Sequence, residues 1–195
     1  MKYLLILLLP FTIFSQEIVK CNDSLNFIVF KFENDFITFK TDEKIELMHS
    51  SGSFHLNDNF LFSIKIVPIL NNDEKSNDEL SILTDYATTV IEKSTKNLKE
   101  LLKLYKIPIE INNYQTALFW HFKLPENLRV EVEKKGFKLK ELKVVYLSTT
   151  IENSIVNIET ILMKNENIEE IKSLFLDIMK TIKLTKTKNV CFQSK

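Results

Sequence analysis

Residues 139–163 read LKELKVVYLSTTIENSIVNIETILM, two extended runs on either side of Glu152-Asn153. Both runs, Leu139–Thr149 and Ser154–Met163, are rich in Val, Ile, Leu and Thr, and β-branched side chains fit a pleated surface. In the second run Val156, Ile158, Thr160 and Leu162 recur every two residues and share one strand face. The pattern predicts an antiparallel hairpin. Downstream the spacing changes to three and four. Ile171, Leu174, Phe175, Ile178 and Ile182 line one side of a helix from about Ile168 to Leu184, with Asn167 as its N-cap.

Upstream, Leu25–Lys40 reads as another hairpin, turning at Asn34-Asp35, residue types that tolerate a left-handed backbone. A short strand at Lys44–Met48, a polar loop from Ser50 to Asn59 and an extended run at Phe60–Leu70 follow. From about Asp78 to Lys106 a long helix is expected. Leu80, Leu83, Ala87, Val90, Ser94, Leu98, Leu101 and Tyr105 keep helical spacing, Ser76 and Glu79 form a capping box, and Pro108 stops it. Extended stretches at Ile107–Asn112, Tyr114–Leu124 and Leu128–Glu133 complete the chain, with Leu118, Trp120, Phe122 and Leu124 on one face. The expected class is α+β: a mainly antiparallel sheet covered by two long amphipathic helices, in one domain over residues 16–195.

The order of these elements carries a resemblance. The strand Phe62-Ser-Ile-Lys-Ile-Val-Pro68, the long helix, the segment Ile111-Asn-Asn-Tyr-Gln-Thr-Ala117 and the closing hairpin and helix resemble the PsbP-like superfamily over roughly residues 60–184. That superfamily includes photosystem extrinsic subunits and small exported bacterial proteins of the DcrB type. The resemblance implies an α/β/α sandwich of mostly non-enzymatic character, and it assigns no catalytic residue.

Composition narrows the function. Formal charge is zero, from 26 basic and 26 acidic residues, and Arg129 is the sole arginine. Nucleic acid is therefore not an expected partner, because it calls for a basic field and for planar, bidentate arginines. Only Gly52 and Gly136 occur, so no glycine-rich loop cradles a phosphate or dinucleotide. No cofactor is expected.

The N-terminus gives an address. Lys2, the apolar run Tyr3–Phe14 and small Ser15 before Gln16 have the layout of a secretory signal peptide over residues 1–15, cut between Ser15 and Gln16. As a helix the run would span only about 18 Å at about 1.5 Å per residue, short of a hydrocarbon core about 30 Å thick. No transmembrane anchor is expected after cleavage, and the protein is placed in the periplasm or outside the cell. In such an oxidising compartment Cys21 and Cys191, the only two cysteines, are expected to form a bridge, the alternative being two unpaired thiols.

Candidate chemistry is sparse. His49 and His55 flank the loop His-Ser-Ser-Gly-Ser-Phe-His, but the spacing completes no zinc set and Gly-x-Ser-x-Gly is absent, so neither a metal nor a nucleophile is assigned. His121, between Trp120 and Phe122, projects away from them on its strand. Glu126, Glu131 and Glu133 adjoin Lys134, Lys135 and Lys138 and read as a solvated hairpin rather than an acid/base pair. The phenylalanines beyond the signal segment read mainly as core. The expectation is an exported, non-enzymatic domain that binds an envelope or extracellular protein, or a modest ligand. Its rivals are a hydrolase assembled from dispersed residues such as His49, His55 or His121, and a toxin-neutralising or chaperone-like protein.

Overall fold

Two antiparallel sheets carry this chain where one was expected. The computed structural model describes residues 16–22, 25–41, 44–48, 52–56, 60–69, 78–95, 102–112, 115–126, 130, 142–162, 167–188 and 191. The smaller sheet begins with β1 (Gln16–Asn22), β2 (Leu25–Phe32) and β3 (Asp35–Thr41). The larger begins with β4 (Ile45–Met48), β5 (Ser53–Leu56) and β6 (Phe60–Pro68). Helix α1 (Glu79–Thr95) leads into β7 (Leu104–Asn112), β8 (Gln115–Lys123), β9 (Lys143–Ile151) and β10 (Ser154–Leu162). Helix α2 (Ile168–Met179) and β11 (Lys183–Thr185) follow. Strand order is β1-β2-β3-β11 in one sheet and β4-β5-β6-β10-β9-β8-β7 in the other.

The hairpin that opened the sequence reading lies at the heart of the larger sheet. β9 and β10 pair from Ile151 with Ser154 to Lys143 with Leu162, and Glu152 takes a left-handed φ of 47° at the turn. β10 then pairs with β6 and β9 with β8, so the hairpin is flanked on both sides and buried along nearly its whole length.

Two cores result from the two faces. Val145, Leu147, Val156, Ile158 and Leu162 meet Ile28, Phe30, Ile37 and Phe39 of the smaller sheet and Ile171, Phe175, Ile178 and Met179 of α2. On the opposite face Leu118, Trp120, Phe122, Val144, Tyr146 and Ile155 pack with Leu83 and Ala87 of α1. The strand faces expected for Leu118–Leu124 and Val156–Leu162 are those observed. Asn167 caps α2 by accepting from the Glu169 N–H at 3.1 Å. Asp78 does the same for α1, its carboxylate accepting from the Ser81 N–H at 3.0 Å, whereas Ser76 lies outside the described residues.

The expectation of one sheet covered by two long helices is corrected. The fold is β-rich, and the helices have only 17 and 12 residues. The helical spacing through Tyr105 was a coincidence of sequence: Leu104, Tyr105 and Lys106 are strand, paired with Phe122, His121 and Trp120. Lys183 and Leu184, expected to end the closing helix, instead form a strand with Thr185 along Thr38–Phe36. Ser53–Leu56, expected in a polar loop, pairs on both sides. In each case long-range pairing overrides a local pattern. Two smaller corrections concern turns. The first hairpin turns at Glu33-Asn34, with Glu33 at φ 51° and Asp35 already in β3. Within the expected strand Leu128–Glu133 the one described residue, Val130, is helical.

Candidate functional site

The face of the larger sheet beneath α1 carries a chain of buried polar side chains. Period-two alternation sends Val156 and Ile158 one way and Asn157 and Glu159 the other. Register then sets Lys65 and Ser148 beside Asn157, and Ser63 and Tyr146 beside Glu159. Lys65 Nζ lies 2.5 Å from Glu159 Oε1. Asn157 Nδ2 donates to Glu159 Oε2 at 3.4 Å, Ser148 Oγ donates to Asn157 Oδ1 at 2.6 Å, and Trp120 Nε1 donates to Ser148 Oγ at 3.0 Å. Ser63 meets Ser53 at 2.9 Å between hydroxyls.

Aromatic rings wall this chain. Trp120 stacks on Tyr146 with centroids 3.7 Å apart, and Tyr86 of α1 meets Trp120 edge-on at 6.2 Å. Burial, opposed by Lys65, raises the pKa of Glu159. Burial and the Glu159 charge raise those of Tyr86 and Tyr146, which therefore stay neutral. α1 is pinned over the face by its first residue: Glu79 accepts from Thr150 Oγ1 at 3.1 Å and from the Thr116 N–H at 3.4 Å. The network joins β6, β10, β9 and β8 through the Lys65–Glu159 ion pair and the hydrogen bonds of Asn157, Ser148 and Trp120. It is a device for holding the strands in one register.

The opposite face has a different character at its β7 edge. Tyr105 and Ile107 are 37% and 40% exposed, a large share for side chains of that size. Tyr105 stacks on His121 with centroids 4.8 Å apart. Lys103 Nζ lies 4.8 Å from the Tyr105 centroid, and Lys172 Nζ lies 5.9 Å from that of Phe119 while pairing with Glu169 at 3.1 Å. Burial, then the charges of Lys143 and Lys123, lower the pKa of His121, whose buried Nδ1 meets no hydrogen-bond partner among the described residues. The surface is thus aromatic, aliphatic and cationic together. Pro108, which has no N–H, interrupts the donors of the β7 edge and disfavours docking of another strand there.

The histidines do not converge. His55 lies on β5, opposite Glu46 and Leu61, on the α1 side of the sheet; His121 lies on β8 and faces the other way. Four strand spacings separate β5 from β8 in the sheet, about 19 Å at about 4.8 Å each. His49, Glu131 and Glu133 lie outside the described residues, and Glu126 is helical and exposed. Among the described residues no three His, Cys, Asp or Glu side chains gather as a metal site. Cys21 and Cys191 are bonded to each other, with Cα atoms 5.3 Å apart. Ser15 and the rest of the expected signal segment lie outside the described residues, and Gln16 opens β1.

Sequence reasoning missed both surfaces. Tyr105 was absorbed into a helical stripe. Ser148, Asn157 and Glu159 were passed over, although Asn157 and Glu159, two residues apart among the apolar residues of one strand, are the signal of a polar row.

No family model and no curated protein matches the chain. Among solved structures it is similar to the solution structure of cyanobacterial PsbP (CyanoP) from Synechocystis sp. PCC 6803. Identity is 12%, the match covers 89% of this chain and 94% of that one, and the TM-score is 0.45. The likeness is one of fold alone.

Proposed function

We propose that the chain is an exported, non-enzymatic binding domain over residues 16–195, released by cleavage between Ser15 and Gln16, which docks a protein partner of the envelope or extracellular space on its β7–β8 face. The exposure of Tyr105 and Ile107 beside Phe119 and His121 carries this reading. Aromatic and aliphatic side chains held on a rigid strand lose little conformational freedom on docking. The surrounding charge selects the partner: Lys103 and Lys172 lie over the rings, and Lys123 and Lys143 impose a positive field on His121. The fitting partner presents an apolar segment bordered by Asp and Glu. The Cys21–Cys191 bridge supports an oxidising destination.

The test is site-specific photocrosslinking of the exported protein in its own cells. A crosslinker at Tyr105 is expected to give a defined protein adduct that weakens at high salt and disappears with Ile107→Asp. A crosslinker at Lys31, exposed on the smaller sheet, is expected to give none. Equal labelling from both positions would overturn the docking face. N-terminal sequencing of the exported material is expected to begin at Gln16.

A further inference from the structure

Period two decides where the first side chain of β1 goes. Gln16 lies opposite Phe30 and Ile18 opposite Ile28, and Ile18, Ile28 and Phe30 all join the core between the two sheets. Gln16 therefore points the same way and sets a half-buried carboxamide at the rim of that core. The carboxamide makes no hydrogen bond with a described residue.

What receives it is Gly52. A Cβ at Gly52 would lie 3.3 Å from Gln16 Oε1 and 3.1 Å from the Ile64 carbonyl oxygen, so the carboxamide lies in room that a larger residue would narrow. Gly52 is itself fixed in place. Its φ of 70° suits glycine, and its carbonyl accepts from the Ile64 N–H at 3.0 Å. The Gln16 side chain thus reaches from the smaller sheet to the residue just before β5 in the larger one.

An α-amine at this position changes what the glutamine can do. This step rests on the reading that cleavage releases the chain at Gln16. The pKa of an α-amine is about 7.7–8.0, so in mild alkali much of it is a neutral nucleophile. Its nitrogen attacks the side-chain Cδ; the new N–C bond forms as the Cδ–Nε2 bond breaks, and ammonia leaves. The product is a five-membered lactam, pyroglutamate, and no electrons are exchanged. Ring closure needs Cδ turned back onto the backbone nitrogen, and a carboxamide held at Gly52 is restrained from turning.

We propose that Gln16 is a latent modification site: Gly52 holds its carboxamide open in the folded protein, and pyroglutamate forms where that hold is lost, removing the N-terminal charge and the contact between the sheets.

The test uses the whole chain from Gln16 onward, made by cutting a removable leader at that bond in vitro. Intact mass is followed in mild alkali for loss of one ammonia. The folded protein is expected to close at least tenfold more slowly than the same chain in guanidinium chloride, since closure in the fold requires local opening. Gly52→Asn, a residue type that tolerates a left-handed φ, is expected to bring the folded rate close to the denatured one. Gly52→Ala takes its place if circular dichroism shows the asparagine variant unfolded. Equal rates with and without denaturant would overturn the proposal, as would a folded Gly52 variant that closes as slowly as wild type. Exported material that begins elsewhere than Gln16 would defeat the cleavage reading alone, and the comparison in vitro would still decide the role of Gly52.

Discussion

Beneath α1 the larger sheet presents Lys65, Ser148, Asn157 and Glu159 among aromatic rings; on its other face the same strands present Ile64, Leu147, Val156 and Ile158 to the smaller sheet and α2. The apolar face supplies burial, which is strong and indifferent to register. The polar face supplies the register. Slipping β10 by one residue would push Asn157 and Glu159 into the phenylalanine-rich core and carry Val156 and Ile158 away from it. A buried ion pair is weak grounds for stability in itself, because removing charge from water offsets the attraction. Here its role is to make one pairing of four strands far better than its neighbours.

That division is broken most directly by large truncations. Phe62, 1% exposed and packed on Phe54 and Phe60, points into the apolar core. Phe62→Ala is expected to cost about 3–5 kcal/mol in urea unfolding. Ser63→Ala, one residue along on the polar face, is expected to cost about 1 kcal/mol or less. Equal losses would erase the contrast between the faces.

Next in size is Lys65→Met, which leaves Glu159 buried without its ammonium and is expected to cost about 3 kcal/mol at neutral pH. Burial raises the Glu159 pKa in the folded state above its unfolded value. Such a group favours the fold at low pH, and that contribution is lost as pH rises through the folded pKa. Without Lys65 the neutral-pH penalty grows, so the loss should shrink on acidification, and adding Glu159→Gln should recover most of it. A loss independent of pH would show that the pair does not act through charge. Smaller still is Trp120→Phe, which removes the indole donor to Ser148 and is expected to cost about 1 kcal/mol, measured against wild type in the same titration.

The smallest effect lies on the other face and has the opposite sign. Burial and the charges of Lys143 and Lys123 hold the His121 pKa below its usual value of 6.5. A histidine with a depressed folded pKa contributes stability above its unfolded pKa and loses it as pH falls through the folded one. His121→Gln is therefore expected to flatten the decline in melting temperature below about pH 6.5. An unchanged slope would mean that His121 does not sense acid from this face.

Legibility in the sequence followed the range of the interactions. The β9–β10 hairpin, the shared face of Leu118, Trp120 and Phe122, and the Asn167 cap are written in residues close together, where alternation and capping act directly. The ends of both helices were misread because Leu104–Lys106 and Lys183–Leu184 take their conformation from Trp120–Phe122 and Ile37–Thr38, partners that no local pattern reveals. The smaller sheet was half visible: β2 and β3 read as a hairpin, whereas β1 and β11, its edges, passed for polar flank and helix. Of the candidate surfaces, Tyr105 was legible as an apolar residue but not as an exposed one, since its exposure depends on where the smaller sheet ends. The bridge was legible because an even thiol count, in a chain read from its N-terminus as exported, constrains the answer without any geometry.

The same bridge has a consequence for survival among proteases. Cys21 and Cys191 are 170 residues apart, so the bond closes almost the entire chain into a covalent ring. Cutting a ring once opens it without dividing it. A protease that severs any single peptide bond between the two cysteines therefore releases no fragment. The two pieces remain one molecule, still aligned by the strand ladders that join them, and only a second cut or loss of the sulfur link lets part of the protein drift away.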